Sequence, residues 1–355
     1  MNVPKTYYHS IDVFRFICAI FVVTVHVTSQ ISSHDIATWA NYYSYRYLLD
    51  IGSPFFFMAA GFIIFHKSTD QGPSYLITYG KKILSYFIVF SLFYMVARVV
   101  IEATSAYMLS ESVLEAIQMQ LSQWNALNVL NGSIGSFQLY FLILLLYSAI
   151  FLYGLLRLRV HPLGIFALAV ALYGLENIGL FDSIQLFYYK SFAFGFLYVV
   201  LGYTLNYTKD KVSYRAPWVY TLLIAGAYVA TYYYHLGLSW ILLPLFTFSL
   251  GTLCVQYPNI GKGTILTKLS SYSLAIYTLH IFVELLVLKA VQLVGWTTYY
   301  MSPLYYVGTI IVCIVLPCFL FQPVYHGALW LKEKCLFSYK TKPGEKEEFQ
   351  RKQTG

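Results

Sequence analysis

The first long apolar segment of the chain contains an arginine and a histidine whose types and spacing suit chemistry. It reads IDVFRFICAIFVVTVH from Ile11 to His26, with Arg15 eleven residues before His26. At about 100° and about 1.5 Å per residue, a helix places both side chains on one face, about 16 Å apart along its axis. Arginine binds anionic groups such as phosphate, and histidine accepts a proton near neutral pH. As structural alternatives, Arg15 anchors the helix at a membrane surface and His26 bonds to a neighbouring helix.

Three further ionisable residues are candidates for the same chemistry. Asp12 lies three residues before Arg15 and is close enough to orient or neutralise it, or it is an acid that favours the helix start. In the ninth apolar segment, SSYSLAIYTLHIFVE, His280 precedes Glu284 by one helical turn. Ionisable residues inside a membrane are costly, so this pair predicts a proton relay or a group that orients a substrate. The alternative is that the two side chains satisfy each other inside the bundle.

Five other polar residues lie in apolar segments, nearer to their outer ends. Arg98 and Glu102 are four residues apart in the third segment, which predicts a structural ion pair. Lys289 is expected to extend its ammonium group to the membrane surface. Glu176 and Asn177, in the fifth segment, either line an outer acceptor pocket, take part in packing or are exposed at the membrane interface.

Ten apolar segments must position these residues. The 355-residue chain is 59% apolar and only 11% charged, which is too apolar for a water-soluble domain. Each segment is close to the ~20 residues that cross a bilayer, and none shows the alternation of a membrane barrel strand. The sequence therefore predicts an all-α polytopic membrane protein with about ten transmembrane helices. They lie at about 11–30, 47–65, 83–102, 135–156, 163–181, 191–207, 217–234, 238–256, 271–294 and 303–330.

The distribution of basic residues predicts how the chain is oriented. Eighteen of the 23 basic residues lie in alternate loops and in the tail, whereas the opposite loops hold only Arg46 and Lys190. Because cytoplasmic loops are rich in Lys and Arg, both termini are predicted on the cytoplasmic side of the cell membrane. The net charge of +8 thus reflects membrane orientation and not nucleic-acid binding. Residues 1–331 are expected to form one membrane domain, followed by a polar basic cytoplasmic tail at 332–355.

The longest outer loop and the cysteines add two further expectations. Residues 103–134 contain no Lys or Arg, and Val113–Leu121 has apolar residues at helical spacing. This stretch is predicted to lie along the outer membrane surface or to cap a cavity. The five cysteines lie in or beside apolar runs without CxxC spacing, so we expect buried thiols and no metal site.

Five motifs in register make the chain resemble the acyltransferase-3 family of bacterial ten-helix membrane acyltransferases. An acid, an arginine and, after ten intervening residues, a histidine form the family's opening motif, here Asp12, Arg15 and His26. Four later segments are similar to family motifs in the same order, so that the resemblance covers about residues 8–330. They are GSPFFFMAAGFIIF (Gly52 to Phe65), FQLYFLILLLY (Phe137 to Tyr147), FGFLYVVLGYTL (Phe194 to Leu205) and SSYSLAIYTLH (Ser270 to His280).

The chain departs from the family pattern at several positions. Ala60 replaces the usual Ser before Gly61, and Gln138 and Tyr140 replace the usual His and Trp. In the second cytoplasmic loop, YGKKILSY, Lys82 and Ser85 stand where the family usually has two arginines.

The resemblance implies transfer of an acyl group, most often acetyl, from cytoplasmic acyl-CoA to a hydroxyl of a cell-surface or lipid-linked glycan. Arg15, Lys81 and Lys82 would hold the phosphates of the donor. His26 would deprotonate the acceptor hydroxyl or carry the acyl group, and the sequence leaves both roles open. Tyr277 and His280 are candidate donors to the oxyanion.

Two other functions remain open from the sequence. Membrane domains that resemble this family are fused to amino-acid racemases and are thought to move the amino acid, which favours a small-solute or amino-acid transporter. Intramembrane His and Glu also suit a proton-coupled path. The third function is that of a non-catalytic component of a polysaccharide export machine.

Overall fold

The structure is a computed structural model that describes residues 6–29, 47–181, 192–211, 215–296 and 302–335. All regular elements in these ranges are helices, as the apolar segments predict. The long helices are α1 (His9–Thr28), α2 (Gly52–Gln71), α3 (Tyr75–Met108), α6 (Tyr140–Arg157), α7 (Pro162–Asn177), α8 (Phe192–Thr208), α9 (Pro217–Tyr233), α10 (Ser239–Gln256), α12 (Ser273–Val294) and α13 (Pro303–Cys335). The short helices are α4 (Val113–Ser122), α5 (Ala126–Asn131) and α11 (Ile265–Leu269), with 3-10 turns at Tyr47–Ile51, Phe137–Leu139 and Ser270–Tyr272.

Each of the ten predicted segments corresponds to one long helix. Within the described residues, seven helical stretches are long and apolar enough to cross a membrane. The helices α7, α8 and α9 are shorter, at 16, 17 and 17 residues. The all-α polytopic membrane fold is therefore confirmed, with about ten spanning helices. Arg46, Lys190 and residues 336–355 of the predicted tail lie outside the described residues.

The helix that carries the opening motif lies inside the bundle. Half of the most apolar window of α1 is buried, compared with 22% of that of α13. It packs against α2, α12 and α13, and its Arg15 and His26 are only partly exposed. This placement is what allows Arg15 and His26 to take part in an internal site.

Two glycines let α2 and α8 approach to backbone contact. A Cβ added at Gly61 would lie 1.8 Å from the carbonyl oxygen of Val199, and one added at Gly202 would lie 1.8 Å from that of Met58. Small residues at such a crossing are how membrane helices gain close packing without a hydrophobic driving force. Motif segments two and four of the sequence thus meet along one interface.

The predicted helix in the long loop is present as α4. The side chain of Ser112 caps it by accepting a hydrogen bond of 3.3 Å from the Glu115 backbone N–H. No residue of α4 is buried, and Leu114 and Met119 are more than 60% exposed. A short helix with exposed leucine and methionine fits a membrane surface, and that position remains a prediction.

Candidate functional site

The structure brings together the two histidines that the sequence singles out. His26 lies in the last turn of α1, and His280 lies in the second turn of α12. Their rings stack with centroids 5.2 Å apart and planes inclined by 27°. The ring of Phe137 packs edge-on against His26 at 5.0 Å. Two segments that are 254 positions apart in sequence thus form one imidazole pair inside the bundle.

Hydrogen bonds to the backbone define the tautomer of His280. Its Nδ1 lies 3.0 Å from the carbonyl oxygen of Ile276 and 2.9 Å from that of Tyr277. Carbonyl oxygens only accept, so Nδ1 carries the proton and Nε2 of the neutral ring keeps its lone pair. His280 is fully buried, and its Nε2 has no hydrogen-bond partner among the described residues. This nitrogen is therefore able to accept a proton.

Glu284 is close to His280 along the helix but does not bind its ring. Both Nδ1 contacts of His280 are backbone carbonyls, so no hydrogen bond joins this imidazole to the Glu284 carboxyl. Glu284 is 7% exposed and interacts electrostatically with Cys313, whose thiol donates to the His280 carbonyl at 3.5 Å. The two side chains thus do not satisfy each other, and Glu284 lines the surroundings of the pair.

At the other end of α1, Asp12 binds Arg15 as the three-residue spacing predicts. The Arg15 Nη1 lies 3.4 Å from the Asp12 Oδ1, and the Tyr7 hydroxyl donates to the other carboxylate oxygen. Partial burial and the hydrogen bond to Asp12 raise the pKa of Tyr7 to about 12, so this hydroxyl remains a donor at physiological pH. The Arg15 side chain is 29% exposed and is accessible to an anion.

The two lysines of the predicted donor site lie at the same end of the molecule. Lys81 and Lys82 are exposed in the second turn of α3, and the Lys82 Nζ lies 6.0 Å from the centre of the Tyr86 ring. Tyr79, just before them, is within electrostatic range of Arg15. Arg15 and the start of α3 therefore lie at the same end of the bundle, which we call the donor mouth. Along α1, Arg15 is about 16 Å from His26.

The candidate oxyanion donors do not fit that role as they stand. The Tyr277 hydroxyl is already hydrogen-bonded to the side chains of Ser53 and Tyr140, and its ring packs at 6.1 Å from that of His280. The Nδ1–H of His280 is used by the backbone, so the neutral ring has no N–H left to donate.

The polar residues near the outer ends of the helices pair differently from the sequence prediction. Glu102 binds Lys289 at 2.8 Å instead of Arg98, because α3 and α12 bring these side chains together across the bundle. Lys289 is thus held in an ion pair, and its extension to the membrane surface stays a prediction. The Asn177 amide donates to the Tyr173 carbonyl at 2.7 Å, which is a contact within its own helix.

Three residues at the site were not predicted from the sequence. Phe137 contacts His26, and Gln138 and Tyr94 are fully buried beside the turn that carries His280. Gln138 could have been noticed, because it is a polar residue within an apolar run. Nothing in the sequence distinguishes Tyr94 from the rest of the 35 tyrosines.

A family model described as an acyltransferase domain matches residues 8–322, nearly the whole chain and all five motifs. No curated protein and no solved structure matches the chain. The match covers both members of the imidazole pair as well as Asp12 and Arg15. The chain therefore belongs to the acyltransferase-3 family and is a multi-pass membrane acyltransferase.

Proposed function

We propose that the protein transfers an acyl group, most often acetyl, from cytoplasmic acyl-CoA to a hydroxyl of a cell-surface or lipid-linked glycan. The observation that carries this proposal is the stacked His26–His280 pair, in which His280 is fully buried and has an Nε2 lone pair available. An acyl transfer to a hydroxyl needs a base near the reacting oxygen, and imidazole is the side chain best suited to that role near neutral pH.

The donor would enter from the end of the bundle where α1 begins. Arg15 is accessible there and held by Asp12, and Lys81 and Lys82 add positive charge at the start of the neighbouring α3. Guanidinium and ammonium groups bind the phosphates of CoA. The 18-to-2 division of basic residues between the two sides supports a cytoplasmic position for this mouth.

The distance along α1 between Arg15 and His26 suits a long donor molecule. The phosphates of acyl-CoA lie at one end of the molecule and its thioester at the other. With the phosphates at Arg15, a thioester about 16 Å further along α1 would lie beside His26. One helix face would then hold both ends of the donor.

The chemical step uses the histidine pair as the base. His26 takes the proton of the acceptor hydroxyl while its oxygen attacks the thioester carbonyl carbon. The new C–O bond forms, the C–S bond breaks, and the CoA sulfur leaves with the proton that the histidine took up. His280, with its free Nε2, stands beside His26 as a second proton acceptor. Its Nδ1–H keeps the ring in the tautomer that this role needs.

The experiment compares the saccharides of cells with and without the protein by mass spectrometry. We expect ester-linked acyl groups that depend on the protein and are removed by mild alkali. Purified protein in lipid nanodiscs should move label from acetyl-CoA to the same saccharide. If the saccharides are identical and reconstituted protein instead exchanges a small solute across liposomes, the chain is a transporter and the proposal is wrong.

A further inference from the structure

A buried chain of hydrogen bonds links the start of α6 to the turn of α12 that carries His280. The Ser136 hydroxyl donates to the Gln138 Oε1, and the Gln138 Nε2 donates to the Tyr94 hydroxyl at 2.6 Å. Tyr94 in turn donates to the Thr278 carbonyl oxygen at 2.8 Å. Tyr94 and Gln138 are fully buried, and Ser136 is 2% exposed. The chain of bonds thus connects three separate helical elements without access to water.

The Tyr94 hydroxyl lies within the backbone hydrogen-bond ladder of α12. It donates to the Thr278 carbonyl and accepts from the Phe282 backbone N–H at 3.2 Å. In a regular α-helix these two groups bind each other, because N–H of residue i donates to C=O of residue i−4. A hydroxyl from α3 therefore bonds to both groups of the ladder pair that spans His280.

Every hydrogen-bonding site of this hydroxyl is in use. A tyrosine hydroxyl has one proton to donate and accepts through its oxygen. Here it donates to Thr278 and accepts from Gln138 and Phe282. A second contact of 3.4 Å runs from the Gln138 Nε2 to the same Thr278 carbonyl. Removing the hydroxyl would leave buried polar groups unsatisfied, so the arrangement specifies one geometry.

The turn that Tyr94 binds also determines the position of the His280 ring. The carbonyls of Ile276 and Tyr277, which bind its Nδ1, directly precede the Thr278 carbonyl. Any shift of this turn relative to α3 would move the two acceptors and hence the imidazole. The contacts of Tyr94 and Gln138 thus reach His280 through the backbone, without touching its ring.

The same short segment also contacts the other histidine. Residues Phe137–Leu139 form a 3-10 turn, and the Phe137 ring packs on His26 at 5.0 Å while the next residue, Gln138, binds Tyr94. One turn of the chain therefore touches His26 directly and His280 indirectly.

We infer that Ser136, Gln138 and Tyr94 are positioning residues for the acyl transfer: they hold His280 in register with His26. This inference rests on the proposed function of the pair. In this inference Gln138 donates a hydrogen bond and does not relay protons, because an amide does not take up a proton near pH 7.

We call Ser136, Gln138 and Tyr94 the clamp. Tyr94→Phe tests the clamp most directly, with Tyr147→Phe as the matched control. The Tyr147 hydroxyl also donates to a backbone carbonyl, that of Leu130 at 2.8 Å, but away from the histidines. We expect Tyr94→Phe to lower kcat by about 10- to 100-fold, as small misplacements of reacting groups do, with KM for acyl-CoA unchanged. Tyr147→Phe should keep kcat. Equal kcat in both variants, or a loss in KM alone, would overturn the inference.

Substitutions of Gln138 provide a second, independent test. Gln138→Leu removes the donor to Tyr94 at similar size, whereas Gln138→His keeps a ring N–H that can donate to the hydroxyl. Activity should fall in Gln138→Leu and be largely retained in Gln138→His, although both variants remain folded. Retained activity in Gln138→Leu would show that Gln138 only fills space, and an equal loss in the two variants would contradict its role as the donor to Tyr94.

A readout without activity separates this inference from the proposed function. The rate at which diethylpyrocarbonate modifies His280, followed by mass spectrometry, should rise several-fold in Tyr94→Phe and Gln138→Leu but not in Tyr147→Phe. If wild-type protein transfers no acyl group, the proposed function fails while this comparison still shows whether the clamp holds the ring. Unchanged modification of His280 in both clamp variants refutes the clamp.

Discussion

His26 and His280 differ in how accessible their side chains are. His280 is fully buried, bound twice through Nδ1 and surrounded by helix backbone. His26 lies in the last turn of α1, is partly exposed, and is held in the structure by ring contacts with His280 and Phe137. The more accessible imidazole suits an entering acceptor. We therefore propose that His26 is the histidine that contacts the acceptor hydroxyl.

The proposed role of Arg15 in binding the donor leads to a prediction about affinity. A charge-assisted hydrogen bond contributes about 1.5–3 kcal/mol, so Arg15→Ala should weaken acyl-CoA binding by about 10- to 100-fold. Arg15→Lys should restore only part of this, because an ammonium group cannot form the bidentate fork. Lys82→Ala should have a smaller effect, since Lys82 is exposed and lies over a tyrosine ring.

Calorimetry with purified protein in detergent measures this affinity. Arg157→Ala is the matched control, because Arg157 is an exposed arginine in the last turn of α6. If Arg15 only anchors α1 in the membrane, Arg15→Ala will bind acyl-CoA like wild type and lose thermal stability instead.

At this scale the sequence predicted contacts between residues that are close in the chain, but not contacts between different helices. Arg15 and Asp12 are local neighbours, so spacing alone predicted their ion pair. The partners of His280 could not be predicted, because Tyr94 and Gln138 come from helices whose packing is not encoded locally. The same reason explains why Glu102 binds Lys289 and not Arg98.

Among the helices, α1 and the α2–α8 pair determine where the site lies. The helix α1 packs against α2 on one side and against α12 on another. The glycine contact holds α2 against α8 at backbone distance. Helix positions were predictable from the length and composition of each apolar segment. Their pairings were not, since a glycine in an apolar run does not reveal which backbone it approaches.

The glycine contact predicts a stability defect. Gly61→Ala and Gly202→Ala would each place a Cβ 1.8 Å from a backbone carbonyl oxygen, which cannot move as a flexible side chain can. Overpacking typically costs about 1–3 kcal/mol, and a backbone clash should reach or exceed the upper end. Each variant should therefore melt well below wild type in a thermal-unfolding measurement in detergent.

Gly226→Ala is the control for this prediction, because an added Cβ there meets no atom within 4 Å. Alanine favours a helix over glycine by about 1 kcal/mol, so this variant should melt at or slightly above the wild-type temperature. Wild-type melting of both Gly61→Ala and Gly202→Ala would show that α2 and α8 do not pack as closely as described.

For the whole molecule, the charge distribution and the fold must agree on which side each loop lies. A donor mouth at Arg15 requires that end of α1 to face the cytoplasm, where acyl-CoA is made. The histidine end then lies closer to the outer side, where a surface glycan is reached. The sequence predicts this orientation from its basic loops. Helix coordinates alone do not, because no element of the fold distinguishes the two sides of a membrane.

Labelling of single cysteines tests the orientation. Ser110, which follows α3, and Thr264, which precedes α11, are both exposed in the structure. An impermeant maleimide added to intact cells should label Ser110→Cys and leave Thr264→Cys unmodified. The parent protein is the blank, and permeabilised cells should give labelling of both variants. Labelling of Thr264→Cys in intact cells contradicts the predicted orientation.

The central claim is that acyl transfer takes place at the histidine pair, and His26→Gln tests it most directly. Glutamine keeps hydrogen-bonding groups at similar reach but cannot take up a proton near pH 7. Removing a general base costs about 10²–10⁴-fold in rate, so the variant should bind acyl-CoA and melt like wild type yet lose acylation by that factor. His235→Gln, a change at an exposed histidine, is the control.

The deciding measurement records melting temperature, acyl-CoA affinity and glycan acylation on one purified preparation of each protein. The account predicts that His26→Gln differs from His235→Gln and wild type only in acylation. Near-normal acylation by His26→Gln, or a loss that matches a loss of folded protein, contradicts the account.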